Sequence, residues 1–442
     1  MRISVIGCGY LGAVHAAAMA ELGHDVVGID LDPLKIDTLA QGGAPFFEPG
    51  LAELLERGIA AGRLSFSTDI DAARGASVHF VAVGTPQRPD GSADLTAVHA
   101  ALRAVLTIAA PGDLVVGKST VPVGTAQALQ PEVERVGAAL VWNPEFLREG
   151  FAVRDSLEPD RLVYGVAPGD SRSVALLDQV YAELLITGAP RMVTDLATAE
   201  LVKVAANAFL ATKISFINAM AEIAEVVGAD VMQLADAIGH DARIGRRFLN
   251  AGIGFGGGCL PKDIRGFIAR AEELGVGPAL DFLRDVDAVN LRRRDRVVAL
   301  TREALGGSLR GRRIAVLGLA FKPDSDDVRD SPALDIARRL ATEGARVVAT
   351  DPAAVETARP LAPALDYRGG VIEAVTAADA VLVLTEWQQY RDLDPVQLGA
   401  LVGGRIVIDG RLCLDAERWQ RAGWQYRAPG RITPRSRALL GV

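Results

Sequence analysis

The residues best suited to chemistry lie in Gly254-Phe255-Gly256-Gly257-Gly258-Cys259-Leu260-Pro261-Lys262-Asp263. A glycine-rich approach delivers one cysteine, and the spacing predicts a helix directly after it. Pro261 suits a first helical position, Ile264, Phe267, Ile268 and Ala271 repeat at helical spacing, and Gly275 marks an end. Cys259 would then stand at a helix N-terminus, where open N–H groups and the helix dipole favour thiolate. Lys262 adds positive charge, and Asp263 can hold a water or accept a proton. This is the setting of a nucleophilic thiol. Taken alone, a cysteine after glycines reads more readily as a small buried thiol beside a packing turn, and the rest of the chain reverses that preference.

Lys203 and Asn207 sit four apart in a stretch that reads as one long helix, 196–227, so they share a face. Both can donate hydrogen bonds to a developing alkoxide. Earlier in the chain, three apolar runs end in polar tips: Gly84-Thr85-Pro86, Lys118-Ser119-Thr120-Val121-Pro122, and Asn143-Pro144-Glu145-Phe146-Leu147-Arg148-Glu149. In open parallel sheets ligands bind beyond the carboxyl ends of the strands, so hydroxyls of Thr85 and Thr120 and carboxylates of Glu145 and Glu149 point to one crevice.

These groups need elements to hold them. Arg2 to Ile6 reads as a strand, Gly7-Cys8-Gly9-Tyr10-Leu11-Gly12 follows, and a helix runs on to Gly23. A second strand, 25–29, ends at Asp30. The first glycine makes the turn, the second admits a pyrophosphate, and the third lets helix and sheet approach. Asp30 suits a ribose 2′-hydroxyl, so the expected cofactor is NAD and not its 2′-phosphorylated form. Lys35 could reach the adenosine side, although an exposed helix lysine is the plainer reading. After 278–305, read as another long helix with Arg292, Arg293 and Arg294 on a solvated face, strands recur at 313–317, 346–350, 380–384 and 405–408. This second parallel layer lacks three spaced glycines and places the cations Lys322, Arg329 and Arg411 at tips and loops, suited to phosphates. The expected architecture is α/β: two Rossmann-like parallel-sheet domains, 1–195 and 306–442, joined by a central helical domain, 196–305. The chain from Ala428 reads as loosely ordered.

The bulk numbers agree. At 442 residues the chain has room for about three domains. A net charge of −8 argues against nucleic-acid binding. Cys8, Cys259 and Cys413 are too far apart for a zinc site, and a sparse, odd set fits a reducing compartment. His15, His24, His79, His99 and His240 form no cluster, so no metal is expected. The N-terminus reads as a strand, no apolar run reads as long enough to span a bilayer, and the expected location is cytoplasmic.

The motifs Gly7-x-Gly9-Tyr10-x-Gly12, Gly84-Thr85-Pro86, Ser119-Thr120-Val121-Pro122, Asn143-Pro144-Glu145-Phe146-Leu147, Lys203-x-x-x-Asn207, Phe255-Gly256-Gly257-x-Cys259-Leu260-Pro261-Lys262-Asp263 and Phe321-Lys322 stand in one order along the chain. In these the sequence resembles the UDP-glucose/GDP-mannose dehydrogenase family over nearly its whole length. The resemblance implies that Cys259 is the catalytic nucleophile, with Asp263, Lys203, Asn207, Glu145 and Thr120 around it. It places Phe146, Leu147, Phe248, Leu249, Asn250, Ala251, Gly252, Gly256, Phe321, Lys322 and Arg411 on a nucleotide-sugar. Glu149 and Lys262 would lie near both substrate and cofactor, and Arg329 near the cofactor with Tyr10, Leu11 and Thr85. Arg243 matches a position that reaches a neighbouring subunit, which implies at least a homodimer. One departure is Gly258, where relatives often carry serine, so the loop geometry beside the nucleophile is open to question.

The implied reaction is a four-electron oxidation of UDP-glucose to UDP-glucuronate. GDP-mannose is the alternative substrate with the same chemistry, and a two-electron hydroxyacid oxidation without the thiol is a further one. An aldehyde is a poor hydride donor; addition of the Cys259 thiolate restores a tetrahedral oxyanion that can donate again. Lys203 and Asn207 would stabilise the oxyanions, Asp263 would manage protons through water, Glu145 would assist thioester hydrolysis and Thr120 would order a water.

Overall fold

The structure, a computed structural model, describes residues 1–431. The chain forms two compact units: Met1–Ala206 with Arg265–Gly277, and Asn207–Ile264 with the chain from Pro278 onward.

The first unit is built on eight strands: β1 (Arg2–Ile6), β2 (Asp25–Ile29), β3 (Leu64–Ser67), β4 (Val78–Val81), β5 (Leu114–Gly117), β6 (Ala139–Trp142), β7 (Leu162–Gly165) and β8 (Arg191–Thr194). Their order is β3-β2-β1-β4-β5-β6-β7-β8, parallel except where β6 meets β7. The strands are nearly continuous apolar runs because both faces are covered. Ile3, Val5, Phe80 and Val116 pack with Val14, Ala17 and Met19 on one face, and Val27, Val81 and Val115 with Val98, Leu102 and Leu129 on the other. Each such side chain contributes about 1.5–3 kcal/mol by leaving water. The strand order reverses between β1 and β4, which makes the carboxyl end there the place for a ligand.

The second unit repeats this plan with β9 (Arg313–Leu317), β10 (Arg346–Thr350), β11 (Asp366–Tyr367), β12 (Ala380–Val383), β13 (Ile406–Asp409) and β14 (Gln425–Arg427). The order is β11-β10-β9-β12-β13-β14, parallel throughout. Ser331 caps the helix Pro332–Thr342 by accepting the Leu334 N–H, as Ser-Pro at a helix entry predicts.

Several expectations need correction. The helix Asp281–Ala304 buries two of its three consecutive arginines. Arg293 lies wholly out of water beside Glu222 and Glu225 and donates to the Gly252 carbonyl, while Arg294 pairs with Asp330 and Asp335. Only Arg292 is on the solvated face. Ala428 is buried, and the Gly430 N–H donates to Glu225 at 2.8 Å, so the chain is anchored there; the remainder of the expected loose end, 432–442, lies outside the described residues. The helix Leu196–Val227 is long and apolar enough to cross a membrane by length and composition, contrary to the expectation for the chain. Its polar residues Glu200, Lys203, Asn207 and Glu225 are nevertheless buried in protein.

Candidate active site

At the end of β1, Gly7 turns the chain at φ +91°. A Cβ on Gly12 would lie 1.7 Å from the Gly7 carbonyl oxygen, whereas nothing stands within 4 Å of one on Gly9. The backbone is therefore closed beneath the turn and open above it. The helix Tyr10–Glu21 begins there with no side-chain cap, which leaves its N–H groups for a phosphate. At the end of β2, Asp30 accepts the Cys8 N–H at 2.8 Å and the Lys35 ammonium at 2.9 Å. Burial pushes its carboxyl up, but Lys35 and the N–H groups of Asp32 and Cys8 outweigh this and hold it below the usual range. Lys35 is thus half-buried on Asp30, not a solvated helix lysine. The cradle fits an NAD pyrophosphate with a carboxylate ready for a ribose hydroxyl. Leu11 is half-buried beside it.

The tips beyond β4, β5 and β6 converge within this unit. The Thr85 hydroxyl donates to the Thr120 carbonyl at 2.8 Å. Glu145 accepts the Lys203 ammonium at 2.8 Å and, through its other oxygen, the Leu147 N–H at 2.6 Å. Burial raises the Glu145 carboxyl, but Lys203, the Leu147 N–H and Lys118 together hold it below the carboxylate range. Phe146 lies under the Arg161 guanidinium, 3.7 Å from carbon to ring centroid. Glu149 is half-buried next to Gly150, whose N–H donates to Glu48 at 2.6 Å.

Two acids absent from the sequence reading organise these loops. Glu48 accepts the Tyr10 hydroxyl and the N–H groups of Gly150 and Ala152, tying the glycine-rich turn to the loop that carries Glu145 and Glu149. Its signal is Phe47-Glu48-Pro49-Gly50, an acid inside a turn sequence. Glu200, one turn before Lys203, accepts the Gly124 and Ala126 N–H groups at 2.6 and 2.7 Å. Arg270 donates to the Val123 carbonyl at 2.9 Å, so the Thr120 loop is held from two helices. Burial pushes the Glu200 carboxyl up to about 7, against the lowering effect of those N–H groups and Arg270.

In the second unit the helix Leu260–Glu273 starts directly after Cys259, whose carbonyl accepts the Asp263 N–H at 2.9 Å. Cys259 is therefore the N-cap, and Pro261 occupies the second helical position, one later than expected. Cys259 is exposed, while Cys8 is buried, its thiol pushed up to about 12, and Cys413 is half-buried, its thiol pushed up as well. No disulfide joins them. Asp263 is buried between the Lys262 ammonium at 2.7 Å and the Asn207 amide at 2.6 Å. The long helix thus gives Lys203 to the first unit and, a turn later, Asn207 to the second.

The glycine approach is tight for stated reasons. A Cβ on Gly256 would stand 2.3 Å from the Asp330 carbonyl oxygen, and one on Gly257 would meet the Phe321 ring. One on Gly258 would fall 2.3 Å from the Arg329 guanidinium carbon, so the residue that departs from the family pattern makes room for that cation. Arg329 is bidentate on Asp327. Phe248 turns at φ +65°, and the loop behind it is pinned where Asn218 accepts the Gly252 N–H at 2.9 Å. Leu249 and Ala251 are buried and Asn250 is exposed. Arg411 donates to the carbonyls of Leu384, Gly254 and Phe321, joining the residue after β12, the glycine loop and the Phe321-Lys322 turn. Lys322 extends over the Phe321 ring. Arg243 stands apart, with its side chain 90% exposed and paired to Asp241. Among the described residues no group of histidine, cysteine or acidic side chains could hold a metal ion.

Comparison with known proteins identifies the family and the fold. Models of the UDP-glucose/GDP-mannose dehydrogenase family match in three parts: the NAD binding domain over residues 1–185, the central domain over 197–292 and the UDP binding domain over 315–416. The chain is 42% identical to a UDP-glucose 6-dehydrogenase of Rhizobium meliloti (strain 1021), covering 98% of this chain and all of that one. It is 44% identical to UDP-glucose 6-dehydrogenase AglM of Haloferax volcanii, over 97% of this chain and the whole of its relative. A solved UDP-glucose dehydrogenase from Pyrobaculum islandicum superposes with a TM-score of 0.89 at 40% identity, covering 98% of both chains. With its NAD-binding first domain, the chain belongs to the UDP-glucose/GDP-mannose dehydrogenase family, a family of NAD-dependent oxidoreductases.

Proposed function

We propose that the protein oxidises UDP-glucose to UDP-glucuronate, removing four electrons through a covalent bond to Cys259. The observation that carries this reading is an exposed thiol at a helix N-cap beside a buried Asp263 held by the half-buried Lys262 and the buried Asn207. A two-electron dehydrogenase has no use for such a group. NAD supplies the oxidising equivalents, accepting one hydride at each oxidation. The chain's residues do the rest. Lys203 and Asn207 donate to the oxygen as the alcohol loses its proton and its first hydride. The Cys259 sulfur then bonds to the aldehyde carbon, giving a thiohemiacetal whose carbon still bears a hydrogen. Loss of that hydrogen as the second hydride, and of the hydroxyl proton, leaves a thioester. Water, ordered by Thr120 and assisted by Glu145, opens the C–S bond, releases the carboxylate and returns the thiol. Asp263 passes protons at Cys259 through water. Tyr10, Leu11, Thr85 and Arg329 hold the cofactor with Asp30 and Lys35; Phe146, Leu147, the 248–252 loop, Gly256, Phe321, Lys322 and Arg411 hold the nucleotide-sugar, and Glu149 and Lys262 serve both.

The working form is a homodimer or larger. Phe209, Phe216 and Ile223 are exposed at seven-residue intervals along the second unit's part of the long helix, with Val226 and Val227 beside them. A stripe of this kind suits the same stripe on a second copy. Three thiols without a disulfide fit a reducing, cytoplasmic setting. Turnover of UDP-glucose against GDP-mannose under one assay tests the substrate: kcat/KM should favour UDP-glucose by at least about a hundredfold. A preference for GDP-mannose would overturn the assignment while leaving the chemistry in place.

A further inference from the structure

The mechanism above gives no task to the buried Lys118. Lys118 follows β5 and precedes the Ser119-Thr120 pair, yet it is buried. Its ammonium donates to Asn143 Oδ1 at 3.0 Å and lies 5.9 Å from the centre of the Phe80 ring. Asn143 is fixed in turn: the same oxygen accepts the Tyr181 hydroxyl at 2.7 Å, and its amide donates to the Val163 carbonyl at 2.9 Å. Asn143 stands two residues before Glu145, at the tip of β6. A cavity of about 50 Å³ behind this group is lined by Lys118, Asn143, Glu145, His15 and Tyr181 and has room for water. The same cavity meets Asp155, which is paired with Arg148, together with Asp160 and Arg161. Burial keeps His15 and Tyr181 neutral near pH 7. The charges that face Lys118 most directly are thus Glu145, which attracts it, and Lys203, which repels it.

A buried ammonium is costly unless something needs its charge. We propose that Lys118 is a positioning residue for thioester hydrolysis: through Asn143 it fixes the β6 tip, and its ammonium joins that of Lys203 in facing the Glu145 carboxylate. This rests on the four-electron reading. The titration of Lys118 gives the inference a readout. Burial, assisted by Lys203 and opposed by Glu145, brings it down to about 8. Its charge is therefore present below pH 8 and lost above.

The test is the pH dependence of kcat for the whole oligomer, with saturating UDP-glucose and NAD, in the unmodified protein and in Lys118→Met and Lys118→Gln. Two variants guard against one failing to fold. Expected are a fall in kcat of at least about tenfold near neutrality, an acid limb moved to higher pH, and loss of the decline near pH 8. Tyr181→Phe loosens Asn143 but keeps the ammonium, so its limbs should stay in place. Limbs that do not move in either Lys118 variant would overturn the inference, as would equal movement in Tyr181→Phe. An unmodified protein that makes fewer than two NADH per substrate would instead overturn the four-electron reading.

Discussion

The Lys203 ammonium and the Glu145 carboxylate lie 2.8 Å apart with side chains 5% and 11% exposed, so the cation proposed to stabilise the oxyanions and the carboxylate proposed to assist hydrolysis neutralise each other. The consequence is asymmetric. Glu145→Gln removes the negative charge facing two ammoniums, Lys203 and Lys118, whereas Lys203→Met leaves Glu145 with Lys118 and the Leu147 N–H. Breaking a buried pair costs about 3–5 kcal/mol. Thermal unfolding should show a loss of that order for Glu145→Gln and a smaller one for Lys203→Met. Equal losses would mean that Lys118 does not share Glu145.

Glu200 gives a pH signature of stability. Its carboxyl rises from 4.5 to about 7 on folding. A raised value means the folded chain favours the neutral acid, so the contribution is complete below pH 4.5 and is lost as the pH climbs through 7. The difference amounts to about 3 kcal/mol. Urea unfolding at several pH values should show Glu200→Gln losing less stability between pH 5 and pH 8 than the unmodified protein. An unchanged slope would contradict this account of the carboxyl.

Gly258 and Gly256 separate a movable obstacle from a fixed one. Gly258→Ser meets the far end of the Arg329 side chain, which can swing away, while Gly256→Ser meets a backbone carbonyl. The first should change stability by less than about 1 kcal/mol and raise the KM for NAD, because Arg329 is displaced. The second should cost about 2–4 kcal/mol. Calorimetry with steady-state kinetics distinguishes them, and similar losses of stability would contradict the geometry.

Much of this site was legible in the chain. Helix boundaries at Leu196 and Val227, the strands ending at Ile29, Gly117 and Trp142, and the glycine-rich turn all follow from apolar periodicity and local breakers. What was not legible depends on partners distant in sequence. Arg293 and Arg294 read as solvated because nothing local shows Glu222, Glu225, Asp330 or Asp335 beside them. Glu200 binds backbone N–H groups, which leave no mark on the sequence, and the turn around Glu48 marks an acid in a loop without showing that Tyr10, Gly150 and Ala152 are its donors. Lys118 read only as part of a polar tip, since its burial depends on Asn143 and Phe80 from neighbouring strands.

The exposed stripe on the long helix makes assembly testable by itself. Phe216→Glu puts a charge in the middle of Phe209, Phe216 and Ile223 without touching any proposed catalytic group. Light scattering should show the unmodified protein as a dimer or larger and the variant shifted toward monomer. A variant of unchanged mass would place the subunit contact elsewhere.

The most direct test of the central claim is the number of NADH formed per UDP-glucose consumed at completion. This account requires two, falling to one or fewer in Cys259→Ser, because only the thiol returns the aldehyde carbon to a form that can lose a second hydride. One NADH from the unmodified protein, or two from Cys259→Ser, would contradict it.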